Sequence, residues 1–131
     1  MIIYKAVKAI RFLWVLPFLL FLTNCRQPVI PTEEDLAGYG WTLYETGKYQ
    51  EAREWFYDAV AKDSSYADGY NGIGWCFGKL RQADSAAVYF HISQTKPFDS
   101  YDTPDLDLDL YAGLTFAYSG MHIDSLVREY S

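Results

Sequence analysis

The chain has 131 residues, of which 11 are basic and 17 acidic, so its formal charge at neutral pH is -6. This length suffices for one small domain with its own hydrophobic core. Proteins that bind nucleic acid need a basic surface, which an acidic chain does not provide. Nucleic acid is therefore excluded as an expected partner.

Residues 1–24 have the order of a secretory signal. Lys5, Lys8 and Arg11 precede an uninterrupted apolar run over residues 12–22, as a positive region precedes a short hydrophobic region in such signals. A helix that crosses a bilayer needs roughly 20 apolar residues, and this run is shorter. A cleaved signal is therefore favoured over a permanent membrane span.

The segment Leu22-Thr23-Asn24-Cys25 resembles the lipobox of bacterial lipoproteins. The resemblance implies that the signal is cut before Cys25 and that this cysteine carries lipid, whereas an ordinary secretory signal with an incidental cysteine is the alternative. Two or more acyl chains hold a protein firmly on a membrane. Because Arg26 and not Asp follows the cysteine, the resemblance favours the outer membrane of the cell envelope.

Residues 25–32 contain Pro28 and Pro31 and show no helical period, which predicts an extended tether. Thr32 then occupies an N-cap position before three acidic residues that favour the start of a helix. We predict helices over residues of about 33–46, 49–62, 67–80 and 83–95, because their apolar residues recur at three- and four-residue spacings.

A glycine, an alanine and a phenylalanine recur at one fixed spacing: Gly40, Ala52 and Phe56 return as Gly74, Ala86 and Phe90. Together with Gly47, Tyr49 and Ala59, this pattern resembles the tetratricopeptide repeat, a 34-residue helix-turn-helix unit. The resemblance implies an all-α solenoid of antiparallel helix pairs within residues 33–131, with repeats over 33–66 and 67–100. Arg81 stands where the first repeat has Gly47, which predicts a differently built turn there.

A third unit follows at a shifted position. Gly113, Phe116 and Gly120 have the spacing of Gly40, Leu43 and Gly47, displaced by an insertion of five residues within 96–109. This predicts a turn at Gly120, a second helix over about 123–130 and an incomplete repeat over about 106–131, so that the chain holds about two and a half repeats. Solenoid ends normally carry a polar capping helix. Its absence predicts a longer array or a partner that covers this end.

The sequence contains few residues in patterns that are typical of catalytic or metal-binding sites. Asp105, Asp107 and Asp109, within the acidic loop 102–109, have the first spacings of a calcium loop, but Leu110 and Phe116 stand where that loop needs Gly and Glu. We therefore predict no metal or cofactor, and an acidic connection whose Asp residues favour the next helix start. His91 and His122 lie in no catalytic motif, and Cys76 on a helix predicts a buried, inert thiol. We therefore expect that the protein is not an enzyme.

The first helices of tetratricopeptide units line a concave groove, and the resemblance assigns groove residues by position. They are Trp41, Tyr44 and Glu45 in the first unit, Asn71, Trp75 and Lys79 in the second, and Leu114, Ala117 and Tyr118 in the third. Trp and Tyr are frequent hot-spot residues of interfaces. We expect Asn71 to bond a peptide backbone and Lys79 to contact a carboxylate; the alternative is that the two tryptophans only fill the groove.

Two classes of function follow from this pattern. The first is a lipid-anchored adaptor of the cell envelope that binds another protein or a peptide through its groove. The second is a structural end segment of a longer or self-associating helical array. An envelope hydrolase is a third class, but the sequence contains no recognisable catalytic constellation for it.

Overall fold

The computed structural model describes residues 29–98 and 105–129, and from Pro31 onward these residues form one unit. It consists of α1 (Glu33–Glu45), α2 (Tyr49–Lys62), α3 (Ala67–Lys79), α4 (Ala83–Gln94) and α5 (Leu106–Glu129). The described residues contain no strand, and the predicted all-α class is confirmed. None of these helices has the length and apolarity that a membrane crossing requires. The predicted signal and Cys25 lie outside the described residues.

The first four helices have the predicted bounds to within one residue at each end. The start of α1 shows why the local sequence was enough to predict where this helix begins. The hydroxyl of Thr32 accepts the backbone N–H of Asp35 at 3.1 Å, and the Asp35 carboxylate accepts the backbone N–H of Thr32 at 2.9 Å. This reciprocal capping box satisfies two N–H groups that a helix start otherwise leaves unpaired. The hydrogen bonds from Thr32 also lower the pKa of Asp35.

The turns that follow α1 and α3 have the same structure. After α1, Gly47 has φ 81°, and after α3, Arg81 has φ 61°. In both turns this residue donates to the carbonyl three positions earlier, and the next residue donates to the carbonyl five positions earlier. Both are Schellman motifs. The prediction that the turn at Arg81 is built differently is therefore wrong, because the hydrogen bonds hold a non-glycine residue in the left-handed region.

Replacing Arg81 by Gly should stabilise the protein. A left-handed conformation disfavours a residue with a Cβ by roughly 1–2 kcal/mol, and part of the gain is offset because Gly has more freedom in the unfolded chain. We expect a net increase of about 1 kcal/mol in the free energy of unfolding, measured by urea denaturation. Gly47→Ala is the matched control and should lower it. A destabilised Arg81→Gly variant would show that the arginine side chain outweighs its backbone strain.

The helices pack serially, so that each contacts the next one in the chain and α3 also contacts α1 and α5. Within the first pair, a Cβ on Gly40 would lie 3.0 Å from the ring of Phe56, and within the second, a Cβ on Gly74 would lie 2.7 Å from the ring of Phe90. Both rings are fully buried. The recurrence in the sequence thus corresponds to one packing arrangement used twice: a ring of the second helix fits where the first helix lacks a side chain.

The same two rings also fix the contact between neighbouring pairs. Phe56 fills the space beside Gly72 on α3, and Phe90 fills the space beside Gly113 on α5. One repeat length after Gly72 the sequence has Leu106, whereas the equivalent residue in the structure is Gly113, so seven residues are inserted before α5. The predicted insertion of five was therefore wrong, because it rested on a glycine-aromatic spacing and not on contacts.

Helix α5 continues through Gly120 to Glu129 without a turn. The predicted break at Gly120 and the separate helix after it are wrong for residues up to 129. In the observed alignment of the pairs, the residue that corresponds to Gly47 and Arg81 is His122, whereas Gly120 corresponds to Lys79 inside α3. Gly120 instead permits a close approach to α4, since a Cβ there would lie 3.2 Å from that of Ala83.

Gly72→Ala should destabilise the protein, because the added methyl group would collide with the buried ring of Phe56. Overpacking of this kind typically lowers the free energy of unfolding by about 1–3 kcal/mol. The control is Gly38→Ala on α1, where a Cβ meets nothing within 4 Å and where Ala should stabilise the helix by roughly 0.5–1 kcal/mol. Chemical denaturation measures both. Equal effects of the two substitutions would contradict the packing described above.

Candidate functional site

Three aromatic side chains lie along the first helices of the successive units: Trp41 on α1, Trp75 on α3 and Phe116 on α5. The Trp41 ring packs edge-on against Phe56 with centroids 4.9 Å apart, and the Trp75 ring packs in the same way against Phe90 at 5.5 Å. Phe116 lies 6.1 Å from Trp75 and is 48% exposed. We call these three residues the aromatic row.

Each indole of the aromatic row is oriented by a carboxylate of the next unit. Trp41 Nε1 donates to Asp68 Oδ2 at 2.8 Å, and Trp75 Nε1 donates to Asp109 Oδ2 at 3.2 Å. Both aspartates lie in the first turn of a helix, where negative charge is favoured. The two tryptophans therefore fill space against buried rings, as the alternative expected. They also join successive units through these hydrogen bonds, and both remain partly exposed.

Asn71 connects the two carboxylates. It is 1% exposed, and its Nδ2 donates to Asp109 Oδ2 at 2.9 Å and to Asp68 Oδ1 at 3.3 Å. Because the carboxylates only accept, they fix which way the amide points. Its Oδ1 is buried and has no hydrogen-bond partner. The expected bond from the Asn71 amide group to a peptide is therefore replaced by bonds within the protein, and only the carbonyl oxygen stays unpaired.

These two carboxylates have no basic partner among the described residues. The ion pairs there are Lys48 with Glu51 and Arg53 with Glu54, both away from the site. Partial burial raises the pKa of Asp68, the hydrogen bonds from Trp41 and Asn71 oppose this rise, and the charge of Asp109 adds to it. The residues that the structure describes thus provide no counter-charge for these two carboxylates.

An open depression of about 660 Å³ adjoins the carboxylate of Asp68. It lies between the starts of α1, α3 and α5, and its lining includes Trp41 and four acidic residues: Glu33, Glu34, Asp63 and Asp68. Phe98 and Leu106 contribute an apolar wall. The arrangement provides an aromatic and apolar surface under a negative potential.

The remaining predicted residues of the first two units lie beside the aromatic row, in the last turns of α1 and α3. Tyr44 packs edge-on against Trp41 at 5.5 Å, and the ammonium group of Lys79 lies 6.0 Å from the Tyr44 ring. Burial raises the pKa of Tyr44 to about 12. Glu45 is exposed at the end of α1. The predicted neighbours Tyr44 and Lys79 are therefore close together, with Lys79 available to an acidic group.

The structure corrects the groove residues that were predicted for the third unit. Leu114 and Ala117 are buried in the core, and Tyr118 forms a hydrogen bond of 2.7 Å with His91 of α4. With the seven-residue insertion, Tyr118 corresponds to Phe77 and not to Lys79. The residue that continues the aromatic row is Phe116. The prediction missed it because it assumed an insertion of five residues and not seven.

Two further predictions concern reactive groups. Cys76 is fully buried, which confirms the predicted burial, and this burial raises the pKa of its thiol to about 12 and so disfavours the reactive thiolate. The described part of the acidic loop contributes to no cluster of three residues able to hold a metal ion. Asp107 and Asp109 instead occupy the first turn of α5, as predicted for residues that favour a helix start. Residues 102–104 lie outside the described residues.

Comparisons with known proteins add no assignment to this site. No protein-family model, curated protein or solved structure matches the chain.

Replacing Asp68 by Asn should change how stability depends on pH. The folded state raises the pKa of Asp68 above its ordinary value of 3.8, so ionisation of this group opposes folding. The penalty grows as the pH rises above the ordinary value and is complete once the pH exceeds the folded pKa. Asn cannot ionise, and its carbonyl oxygen can still accept the Trp41 indole. The melting temperature of Asp68→Asn relative to wild type should therefore rise as the pH increases above about 4, and level off once the carboxylate of the folded wild type is ionised.

The control for this experiment is Glu51→Gln, which removes one exposed negative charge from α2. Thermal unfolding of all three proteins at matched ionic strength separates the Asp68 effect from the general charge effect. A relative melting temperature that falls with pH for Asp68→Asn would mean that the ionised carboxylate stabilises the fold.

Proposed function

We propose that the chain is a lipid-anchored adaptor of the cell envelope that binds a segment of another protein along the aromatic row. In this proposal the helix pairs form a solenoid of the tetratricopeptide type, and lipidated Cys25 attaches it to the membrane, with the outer membrane favoured. The module is non-catalytic and uses no cofactor. The glycine-phenylalanine packing and the Schellman turn, each repeated in the second unit, support the solenoid.

The observation that carries the proposal is the exposed part of the aromatic row. Phe116 is 48% exposed, and Trp41 and Trp75 are held rigidly by a buried ring and a carboxylate each. Rigid aromatic surfaces lose little conformational entropy on binding and are frequent anchors of protein interfaces. Polar groups flank the row, with Asp68 in the first turn of α3 and Lys79 in its last turn, and would orient a bound segment.

The second candidate is a structural role as one end of a longer or self-associating array. The last turns of α5 favour it, since Ile123 is 59%, Leu126 39% and Val127 61% exposed. Clustered exposed apolar side chains mark interaction surfaces. In this case the functional contact would be made by the end of α5 and not by the aromatic row.

Photocrosslinking in living cells distinguishes these candidates. A photoreactive phenylalanine derivative at position 116 replaces an aromatic side chain of the row, and the same group at position 54 samples the exposed surface of α2. We expect a discrete partner from position 116 and not from position 54, with mass spectrometry to identify it. Cys25→Ser should release the protein from the membrane fraction and weaken this crosslink.

The other outcomes of the crosslinking are equally informative. Crosslinks only to further copies of this chain would favour the array. Equal yields from positions 54 and 116 would contradict the adaptor proposal, because the aromatic row would then have no special access to a partner.

A further inference from the structure

We infer that the segment bound along the aromatic row presents a lysine or arginine side chain to the carboxylates of Asp68 and Asp109. This inference rests on the proposed function and specifies the chemistry of its partner. The occupant is a cationic peptide segment of another protein.

The two carboxylates are close enough to act on one cation, because a single amide nitrogen of Asn71 bonds to both. Asp109 directs only one oxygen to Asn71 and Trp75, and its Oδ1 accepts no hydrogen bond from the described residues. Two partly buried carboxylates that accept hydrogen bonds only from neutral N–H groups lack a positive charge to balance them. A cation would supply the missing charge.

No described basic residue meets this need. Lys79 lies at the far end of α3, beside the ring of Tyr44. Lys96 places its ammonium group 4.8 Å from the Tyr70 ring. Hydrogen bonds from Ser65 lower the pKa of Asp63 at the edge of the depression, and the charge of Lys96 adds to this effect. Neither forms an ion pair with Asp68 or Asp109.

Asn71 provides an independent indication of the same chemistry. Its Oδ1 is a buried acceptor without a donor, and such a group normally raises the free energy of the folded state unless a partner is bound. The unpaired polar atoms of this cluster are thus all acceptors. An ammonium or guanidinium group contains only donors, whereas an acidic peptide would be repelled. The described residues also hold no set of three ligands for a metal ion.

The surroundings fit the rest of such a side chain. Lys and Arg carry apolar stems that pack on apolar surfaces while the charged end stays at a polar group. The indole of Trp41 and the apolar wall of Phe98 and Leu106 border the acidic depression. A cation above an indole face gains further stabilisation.

Selection from a library of random 12-residue peptides, displayed on phage, tests the inference while the natural partner is unidentified. The immobilised targets are the full chain with Cys25→Ser, the same chain with Asp109→Asn, and the same chain with Asp68→Asn. Circular dichroism and thermal unfolding verify that each is folded. We expect wild-type selections to enrich Lys or Arg at one fixed position next to apolar residues, and a synthetic peptide of that sequence to bind the Asp109→Asn variant about tenfold more weakly.

The control variant is Glu51→Gln, which has the same change in net charge on the outer surface. It should keep the affinity of the selected peptide within about twofold, since exposed charges contribute little. Equal weakening by Glu51→Gln and Asp109→Asn would overturn the inference, because it would indicate attraction to net charge alone. Selected peptides without a cationic position would overturn the inference but leave the proposed function intact. A selection that enriches no peptide would contradict both.

Discussion

The architecture depends on the insertion of one aromatic ring between two glycines of neighbouring helices. Phe56 occupies this position between α1 and α3, and Phe90 occupies it between α3 and α5. A ring of this size fits only where neither helix has a side chain, so the contact fixes both the distance between helices and their register along the chain. Because the same contact occurs within and between pairs, one sequence feature determines the packing of the whole unit.

The register set by these rings also assembles the candidate site. It brings Trp41 to Asp68 and Trp75 to Asp109, and it places the buried amide of Asn71 between the two carboxylates. The proposed site thus results from the repeated packing, and its carboxylates have no basic partner in the described part of the chain. In the proposed function, these rigid rings and two carboxylates would select a partner by one cationic residue and its apolar neighbours.

Local signals predicted α1 to α4 because caps, glycine stops and helical spacing are encoded within a few residues, as in the capping box of Thr32. They failed at α5. There a glycine-aromatic spacing indicated an insertion of five residues, whereas the contacts of the Phe90 ring require seven. Arg81 was misjudged because the local hydrogen bonds of its Schellman motif were not considered. Asn71 was misjudged because its bond to Asp109 joins residues 38 positions apart in the sequence. The indole-carboxylate bonds were missed because Trp41 and Asp68 are 27 residues apart and the second pair is 34 apart, so the insertion conceals their equivalence.

The most direct test of this account is the nuclear Overhauser contacts of the Phe90 ring in a labelled sample of the folded chain. Because this ring packs against both helices, we expect contacts from it to the α protons of both Gly74 and Gly113. Contacts to Gly74 and to Tyr111, without Gly113, would correspond to the five-residue insertion. That result would contradict the register of α5 and, with it, the placement of Asp109 and Phe116 in the candidate site.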